Sequence, residues 1–96
     1  MADWYLYMIR DRCGCLYTGI TTDVHRRFRE HCCGSAKAAR YTRFREGLKL
    51  VYSCRIGTHS LAAKAEYRLK QRSKKIKEET IAENWDCNKL RRQLGL

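Results

Sequence analysis

Seven residues near the amino end, "WYLYMIR" from Trp4 to Arg10, restrict the folds open to this chain more than any other stretch. The run is rich in aromatic and β-favouring residues and reads as a strand. Alternate side chains of a strand face opposite ways, so Tyr5, Tyr7 and Ile9 share one face and Trp4, Leu6 and Met8 the other. Both faces are largely apolar. Such a strand has to be covered on both sides, which makes it the central strand of its sheet. The chain has 96 residues, the length of one domain with a single modest core, so we expect one domain over 1–96.

The rest of the chain supplies the partners. "DRCG" has turn chemistry, and "CLYTGIT" returns as a second strand to make a hairpin. Thr21, Thr22 or Asp23 can cap the helix that follows. On that helix Val24, Phe28 and Cys32 recur at i, i+4 and i+8 and should face the sheet. Arg27 and His31 lie about 60° round from this stripe, at the border of core and solvent. Arg26 and Glu30 point further out, as a solvated pair. "LKLVYSCRI" (Leu48 to Ile56) reads as a third strand. "HSLAAKAEYRLKQRS" reads as a helix capped by Ser60, with Ala62, Ala65 and Leu69 as its apolar stripe. Another helix is expected from Lys74 to Glu83, and Asp86 to Leu94 is open to a short one not counted in the element order. The fold class is α+β: a small three-stranded antiparallel sheet flanked by helices, in the order β-β-α-β-α-α. The segment 34–47, basic and without a clear period, is the expected surface loop.

Twenty-one Lys and Arg against ten Asp and Glu leave a formal charge of +11. The excess is spread along the chain, so folding should gather it into a surface that attracts polyanions, nucleic acid first. No apolar run approaches the roughly 20 residues that span a bilayer. The first residues lack a basic leader and a small-residue cleavage site, so no secretory signal is expected. Six cysteines without such a signal suggest reduced thiols and a cytoplasmic setting. Cys13-x-Cys15 and Cys32-Cys33 lack the two-to-four-residue gap of common zinc sites, which argues against zinc.

The hairpin places Tyr17 and Gly19 beside the first strand, near Tyr5 and Tyr7, and the short connection holds the first helix at the same end. Tyrosine hydroxyls, Arg27 and His31 should therefore converge on one shallow patch. Gly19, with no side chain, fits close approach by another backbone or a ligand. Among the acids Glu66 stands out, because it lies within or beside the apolar stripe of its helix and needs a partner there. A salt bridge to Lys70 is one reading. A hard oxygen ligand for Mg²⁺ or Mn²⁺ is the other.

In order, "YLY" at Tyr5 to Tyr7, "YTG" at Tyr17 to Gly19, Arg27 and His31 on one helix, and Glu66 in "AEYRLK" resemble the GIY-YIG endonuclease domain, in particular its small stand-alone bacterial branch. The resemblance runs from Trp4 to about Glu83. Tyr5 stands where the family name has its first glycine, and Thr18 where it has the central isoleucine. Many family nucleases also carry a late asparagine, for which Asn84 and Asn88 are both open.

The resemblance implies a metal-dependent endonuclease hydrolysing DNA phosphodiesters, in DNA repair or processing. Glu66 would hold the metal and Arg27 would offset charge on the phosphoryl oxygens. Tyr17, or alternatively Tyr7, would orient or deprotonate the attacking water. A free tyrosine, with a pKa of about 10, is a poor base unless nearby cations lower it. His31 would accept a proton or hold that tyrosine. Lys37, Arg40, Tyr41 and Arg43, on the loop, would contact phosphate or base. The competing reading is a basic nucleic-acid-binding module with a degraded nuclease site. With no separate targeting domain expected, a protein partner would supply the targeting.

Overall fold

The computed structural model describes residues 3–32 and 47–96. Three strands, β1 (Trp4–Arg10), β2 (Leu16–Thr21) and β3 (Lys49–Gly57), form an antiparallel sheet in the order β2-β1-β3. The two-faced apolar strand is therefore the central one. Leu6, Tyr7, Met8 and Ile9 are all buried, which is the outcome its alternation demanded. The register sets Tyr7 opposite Gly19 on one side and Ser53 on the other.

The β1–β2 turn is built by Asp11. Its Oδ1 accepts from the backbone N–H of Cys13 at 2.9 Å and of Cys15 at 3.0 Å. Gly14 then takes φ +86°, a conformation costly for any residue with a Cβ.

Four helices complete the described residues: α1 (Val24–Cys32), α2 (His59–Lys70), α3 (Lys74–Ala82) and α4 (Cys87–Gln93). The order is β-β-α-β-α-α-α, so the short stretch after Asp86 is a helix in its own right. Among the three residues able to cap α1, Asp23 does so: its Oδ1 accepts from the Arg26 N–H at 3.1 Å. For α2 the cap is Thr58 and not Ser60. The Thr58 hydroxyl accepts from the Leu61 N–H at 3.2 Å, and Ser60 lies inside the helix. Ser60 was expected because capping residues stand at both positions, and the helix starts at the earlier one.

One face of the sheet carries the apolar core. Leu6, Met8, Tyr52, Cys54 and Ile56 pack with Ala62, Ala65 and Leu69 of α2 and with Trp85, Leu90 and Leu94 around α4. Tyr52 donates its hydroxyl to the Trp85 carbonyl at 2.6 Å, tying β3 to the α3–α4 corner. That corner is turned by Asn84 at φ +47°, a region that asparagine tolerates better than most residues.

The opposite face carries α1, and here the expected orientation is wrong. His31 is buried at 1% exposure while Cys32 is exposed. Phe28 and Val24 are only half-buried. The helix is rolled so that a polar ring points at the sheet, which hydropathy periodicity penalises. A hydrogen bond to β1 compensates for it. Among the described residues, no helix is long and apolar enough to cross a membrane.

Candidate active site

Tyr7 reaches from the central strand across Gly19 to α1. Its hydroxyl lies 3.0 Å from Nε2 of His31, both groups buried. Gly19 makes this possible. A Cβ at position 19 would stand 2.5 Å from the Tyr7 hydroxyl oxygen and 2.7 Å from Cζ, closer than atoms pack without displacement. The close approach expected at Gly19 is thus made by a tyrosine side chain, neither backbone nor ligand.

The electrostatics of this pair follow from burial. The Tyr7 hydroxyl is pushed up to about 12, chiefly by burial and then by neighbouring Tyr17, while a hydrogen bond from Arg27 and its charge pull the other way. Glu66 also raises it, so the α2 carboxylate is within electrostatic reach of the α1 cluster. Burial, followed by the Arg27 charge, pushes His31 down to about 4, against the opposing effect of Glu30. At neutral pH His31 is therefore a neutral ring, and in the tautomer protonated on Nδ1 its Nε2 accepts from the Tyr7 hydroxyl. Tyr7 in turn accepts from Arg27. This chain of donors fixes the guanidinium in place.

For Arg27, burial works against the charge, but hydrogen bonds to Glu30 and Tyr7 outweigh it and hold the group above its usual range. The Arg27–Glu30 pair is 3.0 Å long and about three-quarters buried on both sides. Glu30 was expected to point outward with Arg26. Its partner is instead Arg27, three residues back, because the roll of α1 brings position 30 to the edge of the site.

Tyr17 is half-buried. Its ring packs edge-on against His31 with centroids 5.2 Å apart, and lies 6.4 Å from the Tyr7 ring. On its other side Lys70 stands 5.9 Å from the Tyr17 ring centroid. Lys70 also pairs with Glu66 at 3.4 Å, the Glu66 side chain being 25% exposed. The structure thus brings Tyr7, Tyr17, Gly19, Arg27, His31 and Glu66 into one region. The Glu66–Lys70 salt bridge expected as one reading of the acid is present, and Lys70 also joins the acid to Tyr17. Tyr5 is half-buried one strand turn away, beside a cavity of about 310 Å³ shared with Asp23 and His25, and is no part of the Tyr7 network. Lys37, Arg40, Tyr41 and Arg43 lie outside the described residues. Asn84 sits in the α3–α4 turn, and Asn88 is exposed on α4.

A groove of about 570 Å³ adjoins the cluster, running from Trp4 and Thr22 past Arg26 and Arg27. As a donor set, Glu66 offers one carboxylate, and among the described residues no group of three or more His, Cys, Asp and Glu converges. One carboxylate suits a hard divalent ion that keeps several waters and takes phosphate oxygens from its substrate.

The model of the GIY-YIG catalytic domain matches residues 3–80 of this chain. The chain belongs to the GIY-YIG family. It is similar to proteins of the UPF0213 group. The UPF0213 protein YhbQ of Escherichia coli is 49% identical over 83 residues, covering 86% of this chain and 81% of the relative. A UPF0213 protein of Klebsiella pneumoniae is 51% identical over 79 residues, covering 82% and 73%. The solution NMR structure of a UPF0213 protein from Bacillus halodurans is 36% identical, with a TM-score of 0.53 over 83% of each chain. As a GIY-YIG chain it falls in a family of nucleases acting on DNA, whose members are generally metal-dependent. The β2-β1-β3 sheet with its helices is the α+β arrangement of that structural neighbour.

Proposed function

We propose that residues 1–96 form one catalytic domain that hydrolyses DNA phosphodiester bonds with Mg²⁺ or Mn²⁺, in a reducing, cytoplasmic setting and in the service of DNA repair or processing. The observation that carries this reading is the buried Tyr7–His31 hydrogen bond laid across Gly19 with Arg27 hydrogen-bonded behind it. A buried polar network costs stability unless every member is satisfied, and an apolar pair would hold α1 more cheaply. Its upkeep is understandable if it positions Arg27.

Each residue then has a task. Glu66 would hold the ion, which when bound polarises a phosphate oxygen and eases departure of the 3′-oxygen. Arg27 offsets the charge that builds on the phosphoryl oxygens, in a site where half-burial strengthens the interaction. Tyr7 is a positioning residue: buried, hydrogen-bonded to His31 and pushed up to about 12, its phenol keeps its proton at neutral pH. Tyr17, half-exposed and flanked by Lys70, is the tyrosine able to meet the attacking water. His31 orients Tyr7 as a neutral acceptor.

A second reading has one observation in its favour. Arg27 and Glu66 each have a counterion already, Glu30 at 3.0 Å and Lys70 at 3.4 Å, as in a basic binding module whose nuclease site has decayed. Nicking of supercoiled plasmid by the purified chain decides between them. The nuclease reading requires nicking that depends on Mg²⁺ or Mn²⁺ and stops with chelator. Salt-sensitive binding with no nicking in either metal would establish the binding module.

A further inference from the structure

We propose that the outer face of α2 is a base-stacking subsite, in which Tyr67 holds an unpaired base of the DNA strand and Lys64 its phosphate. This rests on the DNA reading above and adds to it a contact outside the catalytic cluster.

Tyr67 is 68% exposed, the large hydrophobic residue that the described part of the chain leaves in water. A single exposed aromatic is common on protein surfaces and by itself carries nothing. What distinguishes Tyr67 is its setting. It lies in a groove of about 580 Å³ with His59, Ser60, Ala63, Lys64 and Arg68. Ser60, Ala63 or Lys64, and Tyr67 recur at i, i+3/i+4 and i+7, so they form one stripe. Helical side chains lean toward the amino end, which lays the ring over the turn bearing Ala63 and Lys64. Ala63 and Ser60 are too small to cover a phenol ring. A flat aromatic face is left open.

The charge around that face is of one sign. Among the described residues, no acidic one lines the groove. Arg68 is anchored through Nη1 to the carbonyls of Leu94 and Gly95, at 2.9 and 3.0 Å. Lys64 has no hydrogen bond or ion pair among the described residues. An apolar floor with a cationic rim matches a nucleotide, which presents a π face and an anion together. A base inside a duplex has its faces covered by its neighbours, so the occupant is an unpaired nucleotide.

Position supports the same occupant. Tyr67 follows Glu66 directly, about 100° round the helix, so one strand can cross from the candidate metal ligand onto the ring. The groove also adjoins the one containing Arg26 and Arg27. His59 lines the first, Trp4 the second, and their rings meet edge-to-face with centroids 4.5 Å apart.

The test uses the full chain and single-stranded oligodeoxynucleotides carrying 2-aminopurine at successive positions, with chelator present so that the strand stays whole. Wild type and Tyr67→Phe should quench the probe on binding. Tyr67→Ala should lose that quenching and bind about tenfold more weakly, the usual scale for one base on one ring. Lys64→Ala should flatten the salt dependence by about one unit. Wild-type affinity and quenching in Tyr67→Ala would overturn the proposal. So would self-association lost in Tyr67→Ala with DNA binding intact, which would assign the groove to a second copy of the chain. Plasmid nicking is scored separately. Tyr67-dependent quenching in a chain that nicks nothing keeps the subsite and removes the nuclease reading. Metal-dependent nicking with Tyr67-independent binding does the reverse.

Discussion

A methyl group at position 19 would stand 2.5 Å from the Tyr7 hydroxyl and 2.7 Å from Cζ, and β1–β2 pairing leaves neither strand free to retreat. Gly19→Ala should therefore force the ring off His31, at a cost of about 1–3 kcal/mol by denaturant melting, and should abolish nicking as well. Tyr7→Phe removes only the nearer overlap, so adding it should not restore the Gly19→Ala protein. Tyr17→Phe differs: the protein should melt like wild type while single-turnover hydrolysis slows about 10²-fold or more. Equal rates for Tyr17→Phe and wild type would exclude the phenol from the chemistry. His31 gives a pH signature. Its folded pKa, pushed down to about 4, lies below the roughly 6.5 of an unfolded histidine, so between those values the unfolded chain binds a proton that the fold refuses. Its contribution to stability is thus intact above pH 6.5 and is lost as pH falls toward 4. His31→Gln should be less stable at pH 7 yet show a flatter loss across that window, measured as denaturant midpoint against pH. The motif spacing made these residues legible as a group. The burial of His31 was not legible, because periodicity counts histidine as polar and cannot register a tyrosine hydroxyl arriving from another element.

At the scale of elements, β1 was readable because both of its faces are apolar, and α2 because Ala62, Ala65 and Leu69 keep helical spacing. The roll of α1 was not, since Val24, Phe28 and Cys32 form an equally periodic stripe that the fold leaves half-buried or exposed. Nor did any local pattern pair Arg10 with Glu78, which are 68 residues apart and joined by two hydrogen bonds of 2.6 Å. The pair clamps the end of β1 to α3 and holds the Glu78 carboxyl below its usual range, chiefly through the Arg10 hydrogen bond. Both side chains remain partly exposed. Glu78→Gln should therefore cost no more than about 1 kcal/mol, an effect that salt weakens, and should leave nicking unchanged. A large loss of nicking in a folded Glu78→Gln protein would show that α3 positions the site, a role the geometry does not give it.

For the whole molecule, the net charge of +11 and the arginine-lined groove beside the Tyr7–His31 pair suit the proposed DNA substrate, which such a surface would hold largely through phosphates. Duplex affinity should fall steeply with salt, with a slope near −0.9 per phosphate neutralised. Sequence preference should be slight. Charge alone would give that slope to a binding module too, so it tests the partner and not the chemistry. The central claim is that Glu66 turns this basic surface into a nuclease, and single-turnover DNA cleavage in Mn²⁺ by Glu66→Gln beside wild type tests it most directly. Glu66 is partly exposed and paired to exposed Lys70, so the substitution leaves the fold and the DNA affinity close to wild type. The account predicts a cleavage rate lower by at least about 10²–10³. A folded Glu66→Gln protein that cleaves at the wild-type rate would contradict it.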